Sequence, residues 1–292
     1  WLATLSSESL DTDLPVEGLL VHLPLNEGTG NEATNLGPGA EKFPATGTIS
    51  WNADGKIGPA PVMKLGGTFD LGQLGDFERD QAFSYGAWIK TVNNKSSGGI
   101  IARMDEKADY RGWDLWLNGA GLSVHIIQTW PTNAIKVTTQ ANVVKPGQWQ
   151  HVLATYDGSG TPEGVRIYID GTSEPLKVDQ GGLKADATIR TKTPLRIGQR
   201  SHTQVFAGGA IQDVRIFDRL LSAAEVRAIA GSAPLQTILA TAAEKRTPQQ
   251  QAALEDHFLF THDPEFSQLA KKIGDLEAER QAIKARGALT HI

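Results

Sequence analysis

Cysteine is absent from the 292 residues, so a disulfide, a thiolate metal site and a cysteine nucleophile are all excluded. No apolar run reaches the roughly 18 residues that a membrane-spanning helix needs. An excess of basic residues is missing as well: Lys+Arg 28 against Asp+Glu 33 gives a formal net charge of -5. Phosphate recognition wants a basic face, so nucleic acid is not expected as the main partner. Several catalytic signatures are also lacking. There is no Gly-x-Ser-x-Gly elbow, no His-Glu-x-x-His pair and no phosphate-binding loop. A leader-like stretch is not seen either, and the chain opens on Trp1. We therefore expect a piece of a longer protein.

What is present suits a turn-rich β protein: 31 Gly, seven Trp and 40% hydrophobic residues. The most informative stretch runs from Phe206 to Ile229. Ile211, Asp213 and Arg215 alternate with Val214 and Ile216 there, the period-two pattern of a strand with two faces. Ser222-Ala223-Ala224-Glu225 follows as a capping box, in which hydroxyl and carboxylate satisfy each other's backbone amides. Alternation also predicts strands at Leu19–Leu25, Phe83–Thr91, Trp113–Asn118, Leu122–Gln128, Trp149–Asp157 and Val165–Asp170. Shorter ones are expected at Val62–Leu65, Thr68–Leu71, Gly99–Arg103 and Leu195–Gln199. Asn118-Gly119 and Asp170-Gly171 supply hairpin turn chemistry. Asn26 to Ala45, rich in Gly, Asn and Pro, reads as a loop. Short strands at this spacing predict a two-sheet sandwich.

Beyond Gly231-Ser232-Ala233-Pro234 the pattern turns helical. Pro234 to Ala243 reads as helix. Thr247-Pro248-Gln249-Gln250 then starts another, with Thr as cap and Pro at the first helical position. Asp263 caps a third, in which Phe266, Leu269, Ile273, Leu276 and Ile283 form a seam at three-and-four spacing. We read these as a hairpin that packs on itself or on a neighbouring domain, with a dimerising coiled coil as the alternative. The expected layout is a linker at 1–15, a sandwich at 16–231 and a helical connector at 232–292.

The segment GGAIQDVRIFDRLLSAAEV resembles the closing strand and helix of laminin G-like, concanavalin A-like lectin domains. GLLVHLPLNEGTGNEATNLG, WNADGKIGPAPVMKLGG, AFSYGAWIKT, GQWQHVLATYDG, GVRIYIDGT and LRIGQR resemble the family's other segments, in the same order. The resemblance covers about Val16 to Ile229. It implies an all-β, concanavalin A-like jelly-roll sandwich of two sheets. The helical tail resembles connectors in large exported proteins of planctomycete-type bacteria. That implies a multidomain parent in an extracellular, periplasmic or cell-surface setting.

Glycosidases related to this fold use a Glu-x-Asp-x-Glu strand, whose alternation puts a retaining pair about 5–5.5 Å apart. No such strand occurs here, so no catalytic residue is assigned. Sugar binding needs aromatic platforms and polar rims instead. Tyr110, Trp113, Trp116, His125 and Trp130 cluster in adjacent elements, and Arg103 and Arg111 could pair with an acidic or hydroxylated ligand. If Leu115, Leu117, Val124 and Ile126 face inward, Asp114, Trp116, Ser123 and His125 share the outward face. Trp88 and Trp149 fall in motifs that the resemblance assigns to the core. The resemblance also implies calcium between the opening loop and the closing strand. Its candidate ligands are Asn35, where relatives often carry Asp, and Asp213. Gln212 stands where many relatives have the first of two acids, and this removes charge that calcium wants. The function expected is a non-catalytic carbohydrate-recognition or adhesion module taking a glycan or glycoconjugate. A structural spacer or protein–protein module is the alternative, and a glycosidase-like fold with scattered acids a third reading.

Overall fold

The computed structural model describes residues 14–64, 67–201, 203–239 and 241–266, and a few positions beyond, up to 276. Residues 1–13 of the expected linker and the seam residue Ile283 lie outside these. Two compact units result. One is Val16–Leu221, and the other includes the helices from Ser222 onward.

The first unit is built of strands. In chain order they are β1 (Leu19–Leu23), β2 (Glu32–Thr34), β3 (Lys42–Thr46), β4 (Ile49–Asn52), β5 (Ala60–Met63) and β6 (Thr68–Asp70). Next come β7 (Phe83–Lys90), β8 (Ser97–Asp105), β9 (Arg111–Asn118), β10 (Gly121–Thr129), β11 (Asn133–Thr139) and β12 (Trp149–Tyr156). The series closes with β13 (Val165–Ile169), β14 (Thr172–Ser173), β15 (Leu176–Gly182), β16 (Arg196–Ile197) and β17 (Ala210–Phe217). One sheet has the order β14-β13-β12-β7-β17-β5-β4, with β1 paired to β17. The other runs β15-β11-β10-β9-β8-β16-β6-β3-β2. Pairing between the named strands is antiparallel, and β17 lies at the centre of the first sheet against both β1 and β7.

The inward residues of both sheets meet in one core. Phe83, Tyr85, Ala87 and Ile89 of β7 face Trp113, Leu115 and Leu117 of β9 and Leu122, Val124 and Ile126 of β10. Phe77 stacks on Phe83 at 4.4 Å between centroids, and Trp113 lies 4.6 Å from Tyr85 and 5.4 Å from Phe83. Aromatic contacts of this kind add specificity to the area they bury.

Four expectations change. The stretch read as a loop from Asn26 to Ala45 contains β2 and β3. β4, β11 and β15, not anticipated at all, extend the two sheets. Val62–Leu65 is replaced by Ala60–Met63, and Leu65 lies outside the described residues. A single helix, α1 (Ala223–Leu239), runs through Gly231-Ser232-Ala233-Pro234, where a break was expected. Within it the Ser232 hydroxyl donates to the Ile229 carbonyl at 2.8 Å. The capping box at its start is present: Glu225 N–H donates to Ser222 Oγ, and Ser222 N–H to Glu225 Oε2. Helix α2 (Pro248–His262) begins with the Thr247–Gln250 capping box and Pro248. Leu235 and Ile238 of α1 pack on Leu254 of α2, while Leu269, Ile273 and Leu276 are exposed.

Candidate functional site

Alternation and register build the site on the outward face of the second sheet. Trp113, Leu115 and Leu117 of β9 point inward, so Asp114 and Trp116 point out. β10 presents Ser123 and His125 beside them, and β11 presents Lys136 and Thr138. Two cross-strand rows result: Asp114–His125–Lys136, and Trp116–Ser123–Thr138.

Asp114 organises the first row. It is fully buried, so both carboxylate oxygens must be matched by donors. His125 Nδ1–H donates to Oδ1 at 2.8 Å, and Arg200 Nε–H donates to Oδ2 at 2.6 Å. Burial alone would push the Asp114 carboxyl up. The charges and hydrogen bonds of Arg200 and His125 outweigh it and hold the group below the ordinary carboxylate value. The Arg200 guanidinium then lies 4.1 Å over the Trp116 ring and 5.7 Å from the Tyr110 ring. Cation and rings hold each other in place. Trp130 stands edge-on to His125 at 6.1 Å, under the Lys136 ammonium at 5.9 Å. One side of Trp130 rests on a small apolar cluster of Met104, Ile127 and Ala134.

So Tyr110, Trp116, His125 and Trp130 come together, while Trp113 and Arg103 do not. Trp113 is 1% exposed, sits in the core and donates its Nε1–H to the Gly75 carbonyl. It shares the inward parity of Leu115, which rules out ligand contact. Arg103 is equally buried. Its guanidinium donates to the carbonyls of Gly72, Leu74 and Thr191 and to the side chains of Gln73 and Asp76. It clamps two loops and faces no ligand. The residue that sequence reasoning missed is Arg200. It follows a two-residue strand, where alternation gives no signal, and the LRIGQR segment was read for its strand alone.

The calcium ligands do not fit. Asn35 Oδ1 accepts from the amides of His22 and Gly37. Asp213 Oδ1 lies 2.8 Å from His22 Nε2 and accepts from Arg215 Nε at 3.1 Å. Burial would push Asp213 up, but Arg215 and His22 hold it well below the usual carboxylate range. Gln212 Nε2 donates among the carbonyls of Leu25, Gly58 and Pro59, while its Oε1 accepts from Lys56 N–H. Arg215 and His22 thus hold Asp213 Oδ1, backbone amides hold Asn35 Oδ1, and Gln212 brings no charge, so the set lacks the carboxylates that a hard cation wants. Among the described residues, no group of three or more acidic or imidazole side chains could hold a metal. Among the same residues, no helix is long and apolar enough to cross a membrane.

Two antiparallel sheets with a core between them and a polar, ring-bearing outer face define a concanavalin A-like sandwich. Residues 66–227 match the laminin G-like model Laminin_G_3, and the chain belongs to the concanavalin A-like lectin/glucanases superfamily. It is 25% identical over 148 residues to Adhesion G-protein coupled receptor V1 of Danio rerio, covering 49% of this chain and 2% of the receptor. The binding domain of Paraclostridial Mosquitocidal Protein 1 superposes with a TM-score of 0.58 at 14% identity, covering 74% of this chain and 52% of that one. Botulinum neurotoxin type C, whose cell entry depends on interaction with two ganglioside molecules, gives 0.55 at 15% identity, covering 78% and 53%. The chain therefore spans about half of each toxin structure and a small part of the receptor.

Proposed function

We propose that this chain is a non-catalytic carbohydrate-recognition or adhesion module whose glycan or glycoconjugate ligand lies across β9, β10 and β11. The carrying observation is the outward face itself: rings of Tyr110, Trp116 and Trp130 fixed around a carboxylate whose two oxygens are both taken. Rings offer stacking surfaces for sugar C–H faces, and the half-buried Lys136 and Thr138 with the edge of His125 supply polar contacts, while Ser123 is fully buried and pairs with Thr138. Asp114 is fully buried and held ionised between His125 and Arg200, a structural position that favours binding over turnover. The ganglioside-dependent toxin, similar in fold, supports a glycoconjugate ligand.

Similarity to a stretch amounting to 2% of an adhesion receptor supports a module within a much longer, exported parent. The tail's resemblance to connectors of planctomycete-type exported proteins supports the same context. Exposed Leu269, Ile273 and Leu276 favour contact of the C-terminal helices with a neighbouring domain. These features also favour a second reading, in which the sandwich spaces or joins protein domains.

A glycan array probed with the intact chain separates the two. Glycan hits weakened about tenfold or more in Trp130→Ala, a loss of about 1.4 kcal/mol, are the expected outcome. An array without hits would leave the spacer reading. Trp130 is the cleaner site for this variant because the Trp116 ring also seats Arg200.

A further inference from the structure

The first row of the site does not stop at Lys136. Across the β11–β15 ladder, Lys136 pairs with Gln180. Asp114, His125, Lys136 and Gln180 therefore lie on four neighbouring strands, a path of about 14 Å at sheet spacing. Gln180 lines a trough of about 380 Å³ bounded by Pro131 and Thr132, by Gly160 and Thr161, and by Gly181 to Lys184. A volume of this size lies within the range of small-molecule sites, about 300–1,000 Å³.

The walls are held before any ligand arrives. Leu183 N–H donates to the Gly160 carbonyl at 2.8 Å, and Lys184 N–H to Asn133 Oδ1 at 2.9 Å. Asn133 in turn donates to Gln128 Oε1 at 2.9 Å. Glycines leave the walls bare. At Gly181 a Cβ would meet nothing within 4 Å, and its φ is not in the left-handed region. The lining residues with polar side chains are Thr132, Thr161, Gln180 and the exposed Lys184. No carboxylate is among the lining residues. Among the described residues Lys184 enters no ion pair, whereas nearby Asp179 on β15 is shared by Lys136 and Lys177.

We propose that the ligand runs past Trp130 into this trough, and that it is a carboxylate-bearing oligosaccharide whose acid group is received by Lys184. The proposal rests on the glycan reading and specifies it. A path longer than one sugar ring calls for an oligosaccharide. Among the described residues Lys184 is the one charge in the lining, and Arg79 beside Gly160 adds to the positive field, so the trough selects an anion.

The test titrates the intact chain calorimetrically with sialylated and uronate-containing oligosaccharides and with their neutral counterparts. The carboxylated ligands should bind about tenfold tighter, and Lys184→Gln should abolish the difference. Gly181→Leu fills the trough at a position free of backbone strain. It should weaken oligosaccharides about tenfold, monosaccharides less than about twofold, and leave the unfolding midpoint in place. If both variants bind carboxylated ligands as the parent does while Trp130→Ala does not bind, the trough is refuted and the glycan face stands. A parent chain that binds none of these sugars overturns both.

Discussion

His151 shows how one buried side chain can set a stability profile. It lies on β12, 1% exposed, with no hydrogen-bond partner at Nδ1. Burial disfavours the imidazolium, Arg215 adds to this, and Asp213 opposes it, so the pKa falls to about 4. An unfolded histidine titrates near 6.5. Between about pH 6.5 and 4 the unfolded chain therefore binds a proton that the folded chain refuses. Stability falls as pH is lowered through that window, by about 3 kcal/mol in all, and the loss levels off once the folded form also protonates. Asp114 and Asp213 are held below the ordinary value, so their stabilisation is present above about pH 4 and is lost only beneath it. The two windows do not overlap. Urea unfolding of the parent and of His151→Gln from pH 7 to 4.5 checks this. The parent should lose stability relative to the variant as pH falls, and parallel profiles would refute the assignment.

Strand β9 binds the site to the core, and Gly112 is its tightest point. Its φ is +131, and a Cβ there would stand 1.9 Å from the Arg103 carbonyl oxygen of β8. That neighbour is backbone, so the ladder itself would have to move. Gly112→Ala should cost about 3 kcal/mol or more, read as a drop in denaturant midpoint. A midpoint matching the parent's would show that β8 and β9 can part without cost. At this scale the sequence was legible wherever alternation is strong. β7, β9, β10, β12 and β17 each place large apolar residues inward, and their strands fall where the pattern puts them. The same rule that turned Trp116 outward also seated Trp113 in the core, so alternation outranked aromatic clustering as a guide to ligand contact. β2 and β15 were not legible because they are sheet edges, and β3 beside β2 was not because KFPAT, like LKVDQGG of β15, buries few residues and carries Pro, Gly or charge. Arg200 could not be read because its role depends on a partner 86 positions away in sequence. The turn chemistry at Thr247 was read correctly, since a capping box is a purely local device.

For the molecule as a whole, the two units differ in how much they bury. The sandwich joins inward residues of both sheets, from Val21 to Ile216, in one cluster. The contact of α1 with α2 rests on Leu235, Ile238 and Leu254, supported by Leu239 and Ala253. Among the described residues this apolar cluster is far smaller than the one between the sheets, and burial of aliphatic side chains is what holds a short helix in place. Local opening of α2 should therefore be far cheaper than opening of β7 or β10, whose amides are released only when the sandwich itself unfolds. Native-state hydrogen exchange should find the α2 amides exchanging about a hundredfold faster, or more, than those of β7 and β10. Equal protection would mean that helices and sheets unfold as one cooperative body. Faster exchange would fit a tail whose stability is completed by a neighbouring domain, which is what the exposed Leu269, Ile273 and Leu276 suggest.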